Sequence, residues 1–247
     1  MNQMDRLRHF LGKTALAESE RRQNGEPVPL PQKPVPEGST LISQPEPELL
    51  QDSHVNFLEL IELRTTQRQY SNQSLTMQEL SYLLWCTQGV KMPMTNGGSK
   101  RTVPSAGARH AFETYLYIQR VEGLEPGFYR FLAFEHALVR VEEISADQAE
   151  EFLSAFSTKP VIAGSAVTFL WVAEADRMLY QYGFRGIRYL YLDAGHVCEN
   201  LYLAAESLHM GACALGAFDD KKLNAVLKLE KNAGEFVVYA AAIGKLP

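Results

Sequence analysis

Residues 112–141, FETYLYIQRVEGLEPGFYRFLAFEHALVRV, decide the architecture. Three runs rich in Tyr, Phe, Leu, Ile and Val, namely Phe112–Val121, Gly127–Phe134 and Ala137–Val141, are joined through Glu122-Gly123 and Glu135-His136. Aromatic and β-branched residues suit a pleated, half-buried backbone, and connections this short favour hairpins. The pattern predicts an antiparallel meander. Ser165–Ala173 and Phe236–Ile243 are almost wholly apolar and read as buried strands, the second in the middle of a sheet.

Helical spacing surrounds these strands. Val55, Leu58 and Ile61 mark one helix, and Thr76 with Glu79 is a capping-box signature opening a second through Leu80, Leu83, Leu84 and Val90. Gly97-Gly98 marks a loop. Ser145–Phe156 reads as a helix, Asp176–Met210 as one long helical region interrupted around Gly183 and Gly186, and Phe218–Leu229 as another helix. The small-residue run Gly211–Phe218 is expected between two helices. Strands and helices do not alternate regularly, which points to an α+β fold: a mostly antiparallel central sheet flanked by helices. Seven of the 12 prolines lie between Pro27 and Pro47, so that segment reads as an extended arm. Before it, Met4, Leu7, Leu11 and Leu16 form an amphipathic stripe that would pack on the body or on a partner subunit. The division is therefore residues 1–54, helix and arm, and residues 55–247, the compact domain.

Charge narrows the function classes. With 24 Lys plus Arg against 29 Asp plus Glu, the net charge of −5 offers no excess with which to grip nucleic acid or an anionic membrane. The uncharged apolar stretch Val161–Ala173 is too short to span a bilayer as a helix. The N-terminus lacks the apolar core of a secretory signal, so a cytoplasmic location is expected. Cys86, Cys198 and Cys213 are scattered, without disulfide or zinc spacing. His196, Glu199, Glu206 and His209 fall on one helix and supply too few converging ligands for a metal.

Two groups of residues have chemistry to offer. Arg64 and Arg68 would share a face of a helix, with hydroxyls from Thr65 and Thr66, as an anion clamp or as solvated arginines ending the helix. Pro104-Ser105-Ala106-Gly107-Ala108 is a row of small side chains that lets a flat ligand approach the backbone, or is an ordinary loop.

Taken in order, Arg64–Tyr70, Arg101–Ala108, Gly127-Phe128-Tyr129-Arg130, Asp193-Ala194-Gly195-His196 and Gly216-Ala217-Phe218-Asp219 resemble the nitroreductase superfamily of flavoproteins. They look most like its SagB-type, thiazole/oxazole dehydrogenase-like branch. The resemblance runs from about Val55 to the C-terminus and leaves the arm out. It implies a homodimer with one FMN per site at the subunit interface. By position, Arg64, Thr65, Thr66 and Arg68 would meet the phosphate and ribityl end, with Lys245 as a late phosphate contact. Pro104, Ser105, Ala106 and Gly107 would line the flavin ring on one side, and Leu215, Gly216 and Ala217 on the other. Arg101 would place positive charge near ring N1, a structural ion pair being its competing role.

The implied activity is hydride transfer from a donor such as NAD(P)H to a small organic acceptor, nitroaromatic or quinone-like, by a ping-pong cycle. The alternatives are a SagB-type dehydrogenase acting on a peptide or biosynthetic intermediate, and a flavin-binding protein or partner subunit without turnover. In azoline-oxidising relatives the segment matching Gln181-Tyr182 resembles Lys-Tyr. Gln181 cannot accept a proton at neutral pH, which counts against azoline oxidation, whereas the Tyr182 phenol can still donate.

Overall fold

The computed structural model describes residues 2–47, 55–94, 98–142, 145–229 and 234–247. In chain order the elements are α1 (Gln3–Lys13), α2 (Glu20–Gln23), β1 (Leu41–Ser43), α3 (Phe57–Leu63), α4 (Met77–Gln88), β2 (Val90–Pro93) and β3 (Ser99–Arg101). There follow β4 (Phe112–Ile118), β5 (Gly127–Leu132), β6 (Ala137–Glu142), α5 (Ala146–Ser154), α6 (Lys159–Gly164) and β7 (Val167–Glu174). The chain closes with α7 (Ala175–Tyr182), α8 (Gly186–Ser207), β8 (Met210–Leu215), α9 (Asp220–Val226) and β9 (Glu235–Lys245).

The central sheet has the order β1-β6-β5-β4-β7-β9-β8, and every pairing is antiparallel. The expected meander is β4-β5-β6. Both faces of the sheet are covered, so alternate residues of one strand enter different cores. Leu116, Ile118, Phe169 and Trp171 pack under α4 and α8, while Tyr115, Tyr117, Leu170 and Val172 pack under α5, α6 and α9. Burial on both sides explains why β7 and β9 read as continuous apolar runs. The α4 capping box forms as its sequence predicts, Thr76 Oγ1 accepting from the Glu79 amide and Glu79 from the Thr76 amide.

Two local expectations need correction. Val90, read into the second helix, begins β2 after the Gly89 cap of α4. The small-residue run after α8 is no interhelical turn: Met210–Leu215 is an edge strand paired with β9. Glycine, alanine and cysteine give a weak strand signal, and the ladder with β9 overrides it. A short helix, α6, occupies the start of the Val161–Ala173 stretch. Gly97 of the predicted loop and the boundary expected near residue 54 lie outside the described residues.

The proline-rich arm runs against the body as a ribbon of acceptors. Proline has no N–H, so buried arm carbonyls need donors but bring few donors of their own. Buried arginines supply them. Arg177 Nε donates to Leu30 O (2.7 Å), Arg101 Nη2 to Pro31 O (3.3 Å) and Arg130 Nη2 to Pro34 O (2.7 Å). Glu113, 3% exposed, accepts from Arg177 (2.5 Å), Arg130 (3.4 Å) and the Lys33 amide (2.8 Å). Beyond these contacts β1 pairs with the edge of β6.

Lys33 also bridges two glutamates: its ammonium hydrogen-bonds Glu235 and lies 3.6 Å from Glu174. Burial, then the neighbouring Glu235, pushes the Glu174 carboxyl up to about 7. A carboxyl raised in the folded state stabilises the fold fully below its unfolded value, about 4.5, and loses that contribution as pH rises through about 7. Glu174→Gln, which mimics the protonated form, should therefore raise Tm more at pH 8 than at pH 5. Thermal unfolding at the two pH values checks this.

Candidate active site

The segment expected to form an anion clamp lies on the edge of the sheet. α3 ends at Leu63, and Arg64 turns the chain out of the helix with φ −50° and ψ 113°. Arg64 and Arg68 thus do not share a helical face, contrary to the sequence reading. β-Branched Thr65 and Thr66 favour the extended backbone that follows. Thr66 bridges Ala212, and the Gln67 amide donates to Ala212 O (2.9 Å), so the segment lies along the free edge of β8. Tyr70 pins its far end, donating to Gln67 O (2.9 Å) and Ala242 O (3.2 Å). Close approach requires glycine: a Cβ on Gly244 would lie 2.8 Å from Tyr70 Cγ, and one on Gly211 2.9 Å from Gln67 Cβ.

Tyr202 of α8 organises the clamp. Its hydroxyl accepts from the Ala214 amide (2.8 Å) and lies 3.3 Å from Thr66 Oγ1, while the Arg64 guanidinium sits 5.4 Å from the ring centroid. Arg68 lies beside Cys213, where its charge opposes the upward push of burial on the thiol. Among the described residues neither Arg64 nor Arg68 is paired with a carboxylate. Thr65 is exposed, and its hydroxyl accepts from Gln67 Nε2. Lys245 is committed elsewhere, its ammonium 3.1 Å from Glu79.

The second cluster is the loop from Pro104 to His110. Gly107, Ala108 and His110 have φ of 58°, 53° and 43°, a left-handed conformation that costs energy at the last two. The surrounding structure holds them. Ser105 Oγ accepts from the His110 amide (2.9 Å), the Ala106 amide donates to Asp193 Oδ1 (3.3 Å), and Arg109 Nε donates to Gly107 O (3.0 Å). Asp193 is buried, its Oδ2 has no partner among the described residues, and burial raises its carboxyl. Tyr182 stands over the loop: a Cβ on Gly107 would lie 2.4 Å from its hydroxyl oxygen. Its ring packs edge-on against Tyr189 at 4.8 Å, and burial raises its phenol, so it stays protonated at neutral pH.

The remaining sequence-selected residues sit apart from these two clusters. Arg101 is 6% exposed, and all three of its guanidinium nitrogens are used, by Ser99, Gln88 and Pro31. Leu215 is buried in the core, whereas Gly216 and Ala217 are exposed on the loop after β8, with Ala217 O accepting from Ser157. Tyr202, Asp193 and Arg109 were not assigned roles from sequence. Asp193 lies inside a quoted motif, but nothing in the sequence distinguishes Tyr202 from the other aromatic residues of α8.

α8 separates the two clusters. Asp193 and Tyr202 are nine positions apart, a rotation of about 180° and a rise of about 13.5 Å, so they leave opposite sides of the helix.

The sequence pattern of the nitroreductase family matches residues 61–245. The chain belongs to the nitroreductase family. A provisionally named nitroreductase of Methanocaldococcus jannaschii is 34% identical over 168 residues, 68% of this chain and 82% of that protein. The trifolitoxin-processing protein TfxB of Rhizobium leguminosarum bv. trifolii is 28% identical over 171 residues, 65% of this chain but 45% of the relative, so this family member spans about half of it. Among solved structures, a provisionally named nitroreductase of Anabaena variabilis superposes with a TM-score of 0.62 at 26% identity, over 76% of this chain and 38% of that one. One from Desulfovibrio desulfuricans, solved in complex with FMN, shares the fold with a TM-score of 0.53 at 16% identity, over 78% of this chain and 88% of that one.

In this nitroreductase-family chain the clamp depends on the glycine contact beneath Tyr70. Gly244→Ala should displace the Tyr70 ring and loosen residues 64–70, at a cost of roughly 1–3 kcal/mol typical of overpacking. Thermal unfolding should show the loss, and hydrogen exchange should accelerate at the Gln67 amide.

Proposed function

We propose that this chain is an FMN-dependent oxidoreductase acting as a homodimer, with each site assembled from the clamp of one subunit and the loop of the other. The observation that carries the reading is the pair of guanidinium groups, Arg64 and Arg68, held on a pinned segment without a carboxylate partner among the described residues. In a chain of net charge −5 such a pair suits a phosphate dianion. FMN, once bound, would supply the hydride chemistry, taking a hydride from a donor such as NAD(P)H and passing it to a small nitroaromatic or quinone-like acceptor in a second half-reaction.

The protein's part is binding, orientation and proton supply. Arg64 and Arg68 neutralise the phosphate, and the Thr65 and Thr66 hydroxyls add short neutral bonds beside it. Pro104, Ser105, Ala106 and Gly107 present backbone, with no bulky side chain, to a flat ring. Leu215 supports the exposed Gly216-Ala217 step, which offers a second small-residue surface. Tyr182, kept protonated by burial, is the candidate proton donor at the substrate mouth. Lys245 and Arg101 have no part here, because Glu79 neutralises the first and the buried guanidinium of the second is already hydrogen-bonded.

The two-subunit arrangement is supported by α8, which stands between the proposed half-sites of one chain. Large apolar side chains are also exposed on the same elements: Phe57, Leu58, Ile61 and Leu63 on α3, and Tyr191 and Leu192 on α8. Exposed apolar side chains of this kind suit burial against a second copy. Among the described residues no helix is long and apolar enough to cross a membrane.

A second reading, a dehydrogenase acting on a peptide or biosynthetic intermediate, is favoured by the likeness to the trifolitoxin-processing protein. Gln181, beside Tyr182, offers no base, so conversion of an azoline to an azole is not expected even then.

Purified protein should be yellow and dimeric by light scattering, and NADH or NADPH should bleach the flavin in stopped-flow mixing. A colourless protein that refuses FMN overturns the reading. Arg68→Ala should lose a charge-assisted contact worth roughly 1.5–3 kcal/mol, weakening FMN retention about 10- to 150-fold in a flavin-release titration.

A further inference from the structure

The mouth at Tyr182 carries positive charge that the phosphate clamp does not use. Arm residues Leu16, Glu18, Ser19 and Arg22 enclose, with Gln181 and Tyr182, an open cavity of about 440 Å³. On the loop side Arg109 is anchored to Gly107 O (3.0 Å), and Gly107 lies directly beneath the Tyr182 hydroxyl. The charges of Arg22 and Arg109 both bear on that phenol.

Neighbouring cations are committed to carboxylates or to the end of α1, whereas these two have no acidic partner among the described residues. Arg21 is paired with Glu26 and Asp176. Arg185 and Arg188 donate to Thr14 and Leu11 at the end of α1. Among the described residues Arg22 and Arg109 have no carboxylate partner. Glu18, in the same cavity wall, is hydrogen-bonded to Gln23 (2.7 Å). Arg22 in the cavity wall and Arg109 on the loop beneath the Tyr182 hydroxyl put two guanidinium groups at one mouth, which favours an anion. The carboxylate of Glu18 in the wall disfavours a dianion and leaves a singly charged group as the better match.

We propose that Arg22 of the arm and Arg109 of the loop bind a carboxylate of the acceptor, so that the enzyme selects planar substrates carrying one negative charge. This specificity rests on the oxidoreductase reading of the same site. It also gives residues 16–23 of the arm a role: they complete the substrate mouth.

The test is calorimetric titration of the FMN-loaded protein with 4-nitrobenzoate, nitrobenzene and 4-nitrobenzylamine at one ionic strength. The carboxylate should bind at least about tenfold more tightly than the neutral compound, and the amine most weakly. Arg22→Gln and Arg109→Gln, the latter keeping a donor for Gly107 O, should each cut that preference to about threefold or less, with Arg→Lys restoring part of it. Circular dichroism and flavin content confirm that each variant is folded. Equal affinities for the three compounds, or an unchanged preference in both Gln variants, overturn the proposal. Anaerobic mixing of chemically reduced holoprotein with the same compounds separates the two readings. Reoxidation by none of them defeats the oxidoreductase reading while the titration still reports carboxylate binding. Equal reoxidation with equal affinities defeats only the carboxylate site.

Discussion

Glu113 is the constraint around which this molecule is arranged. One buried carboxylate faces Arg130 and Arg177, with Arg101 close by, and it cannot satisfy three guanidinium groups alone. Stripping a charge of water costs several kcal/mol unless hydrogen bonds replace the hydration. Backbone oxygens of the proline-rich arm complete that replacement at Leu30, Pro31 and Pro34. The arm is therefore part of the electrostatic solution of the core.

The same cluster reaches the site. Arg101 begins the segment that leads into the loop, and His110 ends it, its carbonyl accepting from Arg177 (3.3 Å). Both ends are thus tied to one buried network. Burial, with the nearby Arg101 charge, pushes the His110 imidazole down to about 3, so it stays neutral and adds no further positive charge. Between these anchors Gly107 and Ala108 can be held left-handed, because the loop has no freedom to relax. Preorganisation beneath Tyr182 is a consequence of charge burial about a carboxylate on β4.

Much of this was legible in the sequence. The meander, the α4 capping box and the break at Gly183 follow from local chemistry, and local chemistry is what a sequence displays. β8 was not legible: Gly211, Ala212, Cys213 and Ala214 have little strand preference, and their pairing is dictated by β9, some 30 residues later. The clamp was legible as composition but not as geometry. Arg64 and Arg68 stand out in the sequence by residue type, yet their placement depends on where α3 stops and on a tyrosine of α8 that no motif marks. Arg101 shows where sequence leaves two roles open. Its place in a motif suggested a ligand contact, and only the packing reveals a guanidinium fully engaged by Ser99, Gln88 and Pro31.

The two edges of the sheet have a further consequence for how the protein behaves in concentrated solution. An unprotected edge strand is a template on which another chain can add itself, the first step of ordered aggregation. β1 closes one side with three residues, between Pro36 and Pro45. β8 closes the other, and its free edge is covered by Thr66 and Gln67. The segment that presents Arg64 and Arg68 is thus also the guard of an otherwise adhesive edge. These residues cannot drift freely in evolution or in engineering, because a change that lifts them from β8 exposes a strand able to recruit its own kind.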